Sequence, residues 1–180
     1  MLRLNIRQRY LSCSVAVQRI ILKELPDNII FEVCMIYYTK SDKETEAVGE
    51  SLGKMLLERN VPRAYIAMRG EMGVGKTAFV RGFAAALGIT GVKSPTYTVV
   101  NEHRGARRLF HFDMYRITDG DDLYSIGYDD YVESDGYSVV EWSENIEDFI
   151  PDGAIRVTIS RVADDVSGRE IVIEYDNACL

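Results

Sequence analysis

Cysteine is scarce in this chain of 180 residues, and its three copies, Cys13, Cys34 and Cys179, lie far apart. They have neither the paired spacing of a zinc site nor that of a redox dithiol, which excludes a disulfide scaffold and makes a reducing cytoplasm the expected location. With only 4 Pro and 14 Gly, the composition also excludes collagen-like and proline-rich low-complexity chains. Long hydrophobic runs are missing too: charge cuts every apolar stretch within about 10 residues, too short for a bilayer-spanning helix, so no membrane association is expected. Nor is there an excess of positive charge. Lys and Arg number 21 against 28 Asp and Glu, a net −7, the wrong sign for a surface that gathers phosphate backbones by counterion release. Direct nucleic-acid binding is therefore not expected.

What is present is a globular composition, 47% hydrophobic and 27% charged, with length enough for one domain holding a sheet and several helices. The charge is uneven, +2 over residues 1–34 and −9 over residues 35–180. The Arg-rich, acid-poor start reads either as a transit peptide or as a stretch upstream of a translation start at Met35. The second reading is preferred, because the first organised element begins beside Met35 and nothing earlier carries a site. The expected organisation is a basic extension over 1–34 and one folded domain over 35–180.

Phe31 to Tyr38 is largely β-branched or aromatic and predicts a strand; Ser41 with Glu44 three residues later then forms a capping box. Val48, Leu52, Met55 and Leu56 share one helical face, and Asn60 with Pro62 stops the helix. A strand from Ala64 to Arg69 runs into Gly70, and a second helix starts at Lys76 and ends at Gly88. Beyond it, Tyr97–His103 and Arg108–Asp113 predict a hairpin, and a short helix carries Leu123, Ile126 and Tyr131. Tyr137–Trp142 predicts a strand, Asn145–Ile150 a helical turn, and Ala154–Arg161 with Glu170–Tyr175 a closing strand pair around Ser167-Gly168. Crossovers mixed with hairpins imply an α/β fold, a mixed β-sheet flanked by helices.

Gly70-Glu71-Met72-Gly73-Val74-Gly75-Lys76-Thr77 matches the Walker A pattern of a P-loop, between a predicted strand and a predicted helix. Glycines let successive N–H groups converge on phosphate oxygens, and the helix continuing through Ala78 adds its positive dipole end. Lys76 is expected to reach the terminal phosphates and the Thr77 hydroxyl to ligate magnesium. Nucleotide binding is the expectation.

Such a site needs an acid at the end of a neighbouring strand. Asp113 closes Leu109-Phe110-His111-Phe112, and Glu141 closes Tyr137-Ser138-Val139-Val140; both are candidates, and the sequence leaves open which meets the metal. Lys93-Ser94-Pro95-Thr96-Tyr97-Thr98 reads equally as a plain turn or as a loop whose Thr96 senses the terminal phosphate. Trp142 reads as packing or as part of the nucleotide pocket. His103 and His111 lack partners at metal-ligand spacing and read as strand residues. Thr39-Lys40-Ser41-Asp42 imitates a guanine-reading motif and Asp165-Val166-Ser167-Gly168 a γ-phosphate element. No second base-reading loop fits before Gly70, so a permuted GTPase is not expected.

GEMGVGKT, RGFAAALG, KSPTYT, HFDMYR, VVEW and GRE at Gly168–Glu170, in this order and spacing, resemble the TsaE family, the P-loop ATPases of bacterial threonylcarbamoyl-adenosine tRNA modification. The similarity covers about residues 35 to 175, and SPTYT followed by HFDMYR distinguishes it from generic P-loop proteins. Residues 1–34 have no counterpart in the family. The resemblance implies binding of ATP and Mg2+, slow hydrolysis by the protein alone, and work with TsaB and TsaD. There TsaD transfers threonylcarbamoyl to tRNA, and the ATP cycle resets the complex between turnovers, so tRNA is met only indirectly. It implies phosphate and metal roles for Lys76 and Thr77, a switch-like role for Thr96, functional acids at Asp113 and Glu141, and a site tryptophan at Trp142. The acidic charge fits occupation of a basic partner surface that tRNA also uses. The alternative is a small-molecule kinase on the same loop, with Arg104, Arg107 and Arg108 as its basic lid cluster; a third reading is a nucleotide-binding module without hydrolysis.

Overall fold

The computed structural model describes residues 19–25, 28–117 and 119–176. Cys13, Cys179 and the first 18 residues of the expected extension lie outside the described residues. Eight strands form one sheet: β1 (Arg19–Leu25), β2 (Asn28–Thr39), β3 (Arg63–Arg69), β4 (Val100–Arg104), β5 (Arg108–Asp113), β6 (Gly136–Glu141), β7 (Ile155–Val162) and β8 (Asp165–Asp176). Their spatial order is β1-β2-β8-β7-β3-β6-β5-β4. Parallel pairing joins β7, β3, β6 and β5 at the centre, and antiparallel pairs flank it on both sides.

Alternation along the central strands explains why both faces are covered. Ile66 and Met68 of β3, with Val139 of β6, meet α1 (Asp42–Glu58) and α2 (Lys76–Ala86) through Val48, Leu52, Leu56, Phe79 and Phe83. Tyr65 and Ala67 point the other way, with Phe110, Phe112 and Val140, and pack under α3 (Gly120–Ser125), α4 (Tyr128–Glu133) and the 3-10 segment Ser143–Phe149. This is the expected mixed sheet flanked by helices. Among the described residues no helix is long and apolar enough to cross a membrane.

Several local expectations need correction. The capping box closes one step early: Ser41 Oγ accepts from the Glu44 N–H at 3.2 Å, while the Glu44 carboxylate accepts from the Lys40 N–H rather than that of Ser41. The hairpin starts at Val100, not Tyr97, because Thr98 and Val99 donate to the Pro95 carbonyl and Val99 takes φ 64°. The single short helix is two, broken where Gly127 takes φ 66°. The β7–β8 turn sits at Asp164, φ 64°, and Ser167-Gly168 lies inside β8, where Asp165 accepts from both of their N–H groups. Organised backbone also begins before Met35: β2 runs from Asn28 across that position, with Val33 and Cys34 buried, and β1 pairs along it.

Candidate functional site

β3 ends at the sheet centre, and the chain leaves it through Gly70 at φ 139°. A Cβ there would overlap the Ile159 carbonyl of β7, so the loop can lie this close to the sheet only with glycine. Gly75, at φ 115°, turns the backbone into α2. The loop residues are not equivalent. Gly73, Gly75, Lys76, Thr77 and Ala78 line a cleft of about 430 Å³, and exposed Met72 forms its rim. Val74 is buried in the core, and the Glu71 carboxylate turns outward toward Arg161 at 3.8 Å.

Lys76 is only 4% exposed. Its Nζ donates to the carbonyls of Gly70 and Glu71 and sits 3.7 Å from the centroid of the Trp142 ring. Burial pulls its pKa below the ordinary lysine value, and the carboxylates of Glu141, Glu144 and Asp113 oppose that shift. Trp142 presents its ring because the residue after β6 takes φ 60°, ψ 38°. The segment after it is fixed to the sheet by Ser143 Oγ donating to Met68 O at 3.2 Å, and by Arg69 and Arg156, which both grip Glu147.

Asp113 and Glu141 are register partners on adjacent parallel strands, which brings both acids to the C-terminal end of the sheet beside the loop. They hold different things. Glu141, 3% exposed, accepts from Thr77 Oγ1 at 2.9 and 3.2 Å and from His111 Nε2 at 2.9 Å. Asp113, 6% exposed, accepts at one oxygen from Ser94 Oγ at 2.7 Å and Thr96 Oγ1 at 2.8 Å, and at the other from the Tyr115 N–H at 3.2 Å. The Ser94–Thr98 loop is thus moored to Asp113. A hydroxyl and two carboxylates converging on a loop of N–H groups suit Mg2+, which keeps waters and phosphate oxygens and takes only one or two protein carboxylates. Among the described residues no group of three or more His, Cys, Asp or Glu side chains able to hold a metal occurs.

The structure therefore brings Lys76, Thr77, Thr96, Asp113, Glu141 and Trp142 to one cleft. Arg104, Arg107 and Arg108 lie at the other end of the sheet, on the β4–β5 tip, where Ala106 N–H donates to Leu87 O and Arg107 donates to Asn60; they cannot form a lid here. The arginines at the cleft are others. Arg81 of α2 lines it and pairs with Asp42 and Glu46, while Arg169 donates from Nε to Val74 O at 2.8 Å and approaches Asp42 at 3.6 Å. Ser94, Tyr115, Arg81, Asp42 and His111 were not singled out as site residues from sequence. KSPTYT contains Ser94, HFDMYR contains His111 and Tyr115, and GRE contains Arg169, whereas Asp42 enters only through the imitation of a guanine-reading motif.

A family model described as "Threonylcarbamoyl adenosine biosynthesis protein TsaE" matches residues 39–171. Relatives named tRNA threonylcarbamoyladenosine biosynthesis protein TsaE include one from Bacillus subtilis, 36% identical over 71% of this chain and 78% of its own length. Another, from Haemophilus influenzae, is 35% identical over 70% and 81%, and one from Treponema pallidum 32% identical over 75% and 96%. The crystal structure of Bacillus subtilis YdiB superposes with a TM-score of 0.67 at 29% identity, covering 81% of this chain and 87% of that one. The matched span runs from the end of β2 into β8 and takes in the glycine loop, the Ser94–Thr98 loop and both acids, so the chain belongs to the TsaE family of threonylcarbamoyl adenosine biosynthesis proteins.

Proposed function

We propose that the protein is a magnesium-dependent ATPase that serves tRNA threonylcarbamoyladenosine biosynthesis as an accessory to TsaB and TsaD, resetting the transferase between turnovers without itself holding tRNA. The observation that carries this reading is the division of labour between the two acids, Glu141 on Thr77 and Asp113 on the Ser94–Thr98 loop. In it, ATP is the substrate, and the loop from Gly70 to Thr77 cradles its phosphates with backbone N–H groups at the start of α2. Lys76 exchanges its carbonyl partners for phosphate oxygens. Thr77 and Glu141 would hold the metal and its waters, and the metal would neutralise phosphate charge. Asp113 keeps Ser94 and Thr96 at the mouth of the cleft, so that closure of this loop depends on what occupies the cleft. Positioning and charge do the chemistry; a strong base is not required.

The test is Mg2+-dependent ATP hydrolysis by the full chain, alone and with TsaB and TsaD, with Lys76→Ala as the blank. Weak turnover alone that rises with the pair and vanishes in the Lys76 variant is the expected result. ATP binding without turnover in either condition would overturn the ATPase reading and leave a binding module.

A further inference from the structure

We infer that His111 is a positioning residue that locks the carboxylate of Glu141 in the orientation the site uses; the inference rests on the nucleotide reading above. The parallel register pairs His111 with Val139 and Asp113 with Glu141, so His111 lies one step below Glu141 on the same face of the sheet. Its neighbours along β5, Leu109, Phe110 and Phe112, are all apolar and buried. An imidazole at this position, 0% exposed, is a costly choice for packing alone.

The hydrogen bonds show what the imidazole does. A carboxylate brings no hydrogen to the 2.9 Å contact between His111 Nε2 and Glu141 Oε1, so Nε2 donates. The other ring nitrogen, Nδ1, is buried with no hydrogen-bond partner among the described residues, a cost that the fold carries. The contact with Glu141 is thus what the polar ring gains in return. Glu141 Oε1 also accepts from Thr77 Oγ1 at 2.9 Å. Gripped from the core side by β5 and from α2 by Thr77, Oε1 is saturated. That fixes the carboxylate plane before any ligand arrives and leaves Oε2, the looser oxygen at 3.2 Å from Thr77, for the metal and its waters. A histidine that orients a metal-site carboxylate acts through that carboxylate, and removing such a partner typically costs about 10- to 100-fold in metal affinity or activity.

Three variants of the full chain test this by calorimetric ATP binding with and without Mg2+, alongside turnover and nucleotide-free thermal unfolding. His111→Gln can return an N–H to the position of Nε2, whereas His111→Asn cannot reach it and His111→Leu removes it. The expected result is that the gain in ATP affinity on adding Mg2+ falls about 10-fold or more in the Asn and Leu variants, is largely kept in Gln, and that His111→Leu has no further effect on it in a Glu141→Gln background. Should the Leu variant fail to fold, the Gln against Asn contrast still decides. Equal Mg2+ dependence in all variants, whatever their thermal stability, or a Gln variant no better than Asn, overturns the inference. Absence of Mg2+-dependent ATP binding in the wild type overturns the nucleotide reading itself.

Discussion

Asp113 and Glu141 stand side by side, yet a change in each should be felt in a different place. Glu141→Gln retains volume and removes charge next to Thr77; turnover should fall about 100-fold or more, the usual scale for one electrostatic contact in such a site, the gain in ATP affinity on adding Mg2+ should fall at least as far as in His111→Leu, and ATP affinity without Mg2+ should stay within a few-fold. Asp113→Asn should also lower turnover, and in addition should release Ser94 and Thr96, so hydrogen exchange over residues 93–98 should quicken in this variant alone. Equal exchange in both variants would sink the mooring role. Both acids were legible from sequence as strand-ending carboxylates. Their separate partners were not, because which loop reaches which strand end is decided by strand order, and no periodicity encodes that. The role of His111 was hidden for the same reason: HFDMYR contains it, but what it holds shows only when the neighbouring strand puts Glu141 beside it.

At the scale of elements, the seating of α2, and with it the P-loop, depends on how close α1 comes. Gly82 of α2 faces the backbone carbonyl of Glu46, and Gly49 of α1 faces that of Phe79; a Cβ at either position would overlap those atoms. Gly82→Ala should therefore destabilise the protein by about 1–3 kcal/mol, read by denaturant unfolding, although alanine is the better helix former. An unchanged or raised midpoint would show that the helices can part freely. The helices themselves were legible, through the apolar face of α1 and the flanking Ser41 and Gly88. Turn positions were less so. Asp165 satisfies the N–H groups of Ser167 and Gly168 with its side chain, so a segment that reads as a turn is local bonding within β8, and the reversal falls at Asp164 instead.

Across the whole molecule, the expected helix-flanked mixed sheet is present. The order that inserts β8 and β7 between β2 and β3, and so surrounds the glycine loop with strands distant in sequence, rests on non-local pairing that a single sequence does not display. On the face opposite α2, the hydroxyls of Tyr65 and Tyr128 bond to each other in the core. Burial pushes the Tyr128 phenol up to about 12, and burial with the Tyr128 neighbour raises Tyr65 too. Unfolded tyrosine titrates near 10. The stability these groups contribute is thus complete below about pH 10 and is lost as pH climbs toward 12, at about 1.4 kcal/mol per pH unit for each phenol. Denaturant unfolding between pH 8 and pH 11 should show this decline, and a Tyr65→Phe, Tyr128→Phe double variant should flatten it. An equal slope in the variant would assign the loss to other groups.

The ammonium of Lys76 over the ring of Trp142 has an optical consequence. Trp142 is the sole tryptophan of the chain, so the entire indole emission comes from a ring in contact with the charge that phosphate would draw away. Adding ATP and Mg2+ should shift the intensity or wavelength of that emission, and Lys76→Ala should abolish the response. An unaltered spectrum at saturating nucleotide would mean that Lys76 keeps its place on the ring. With the shift in hand, nucleotide arrival and departure could be followed in real time by the protein's own fluorescence, with no label attached.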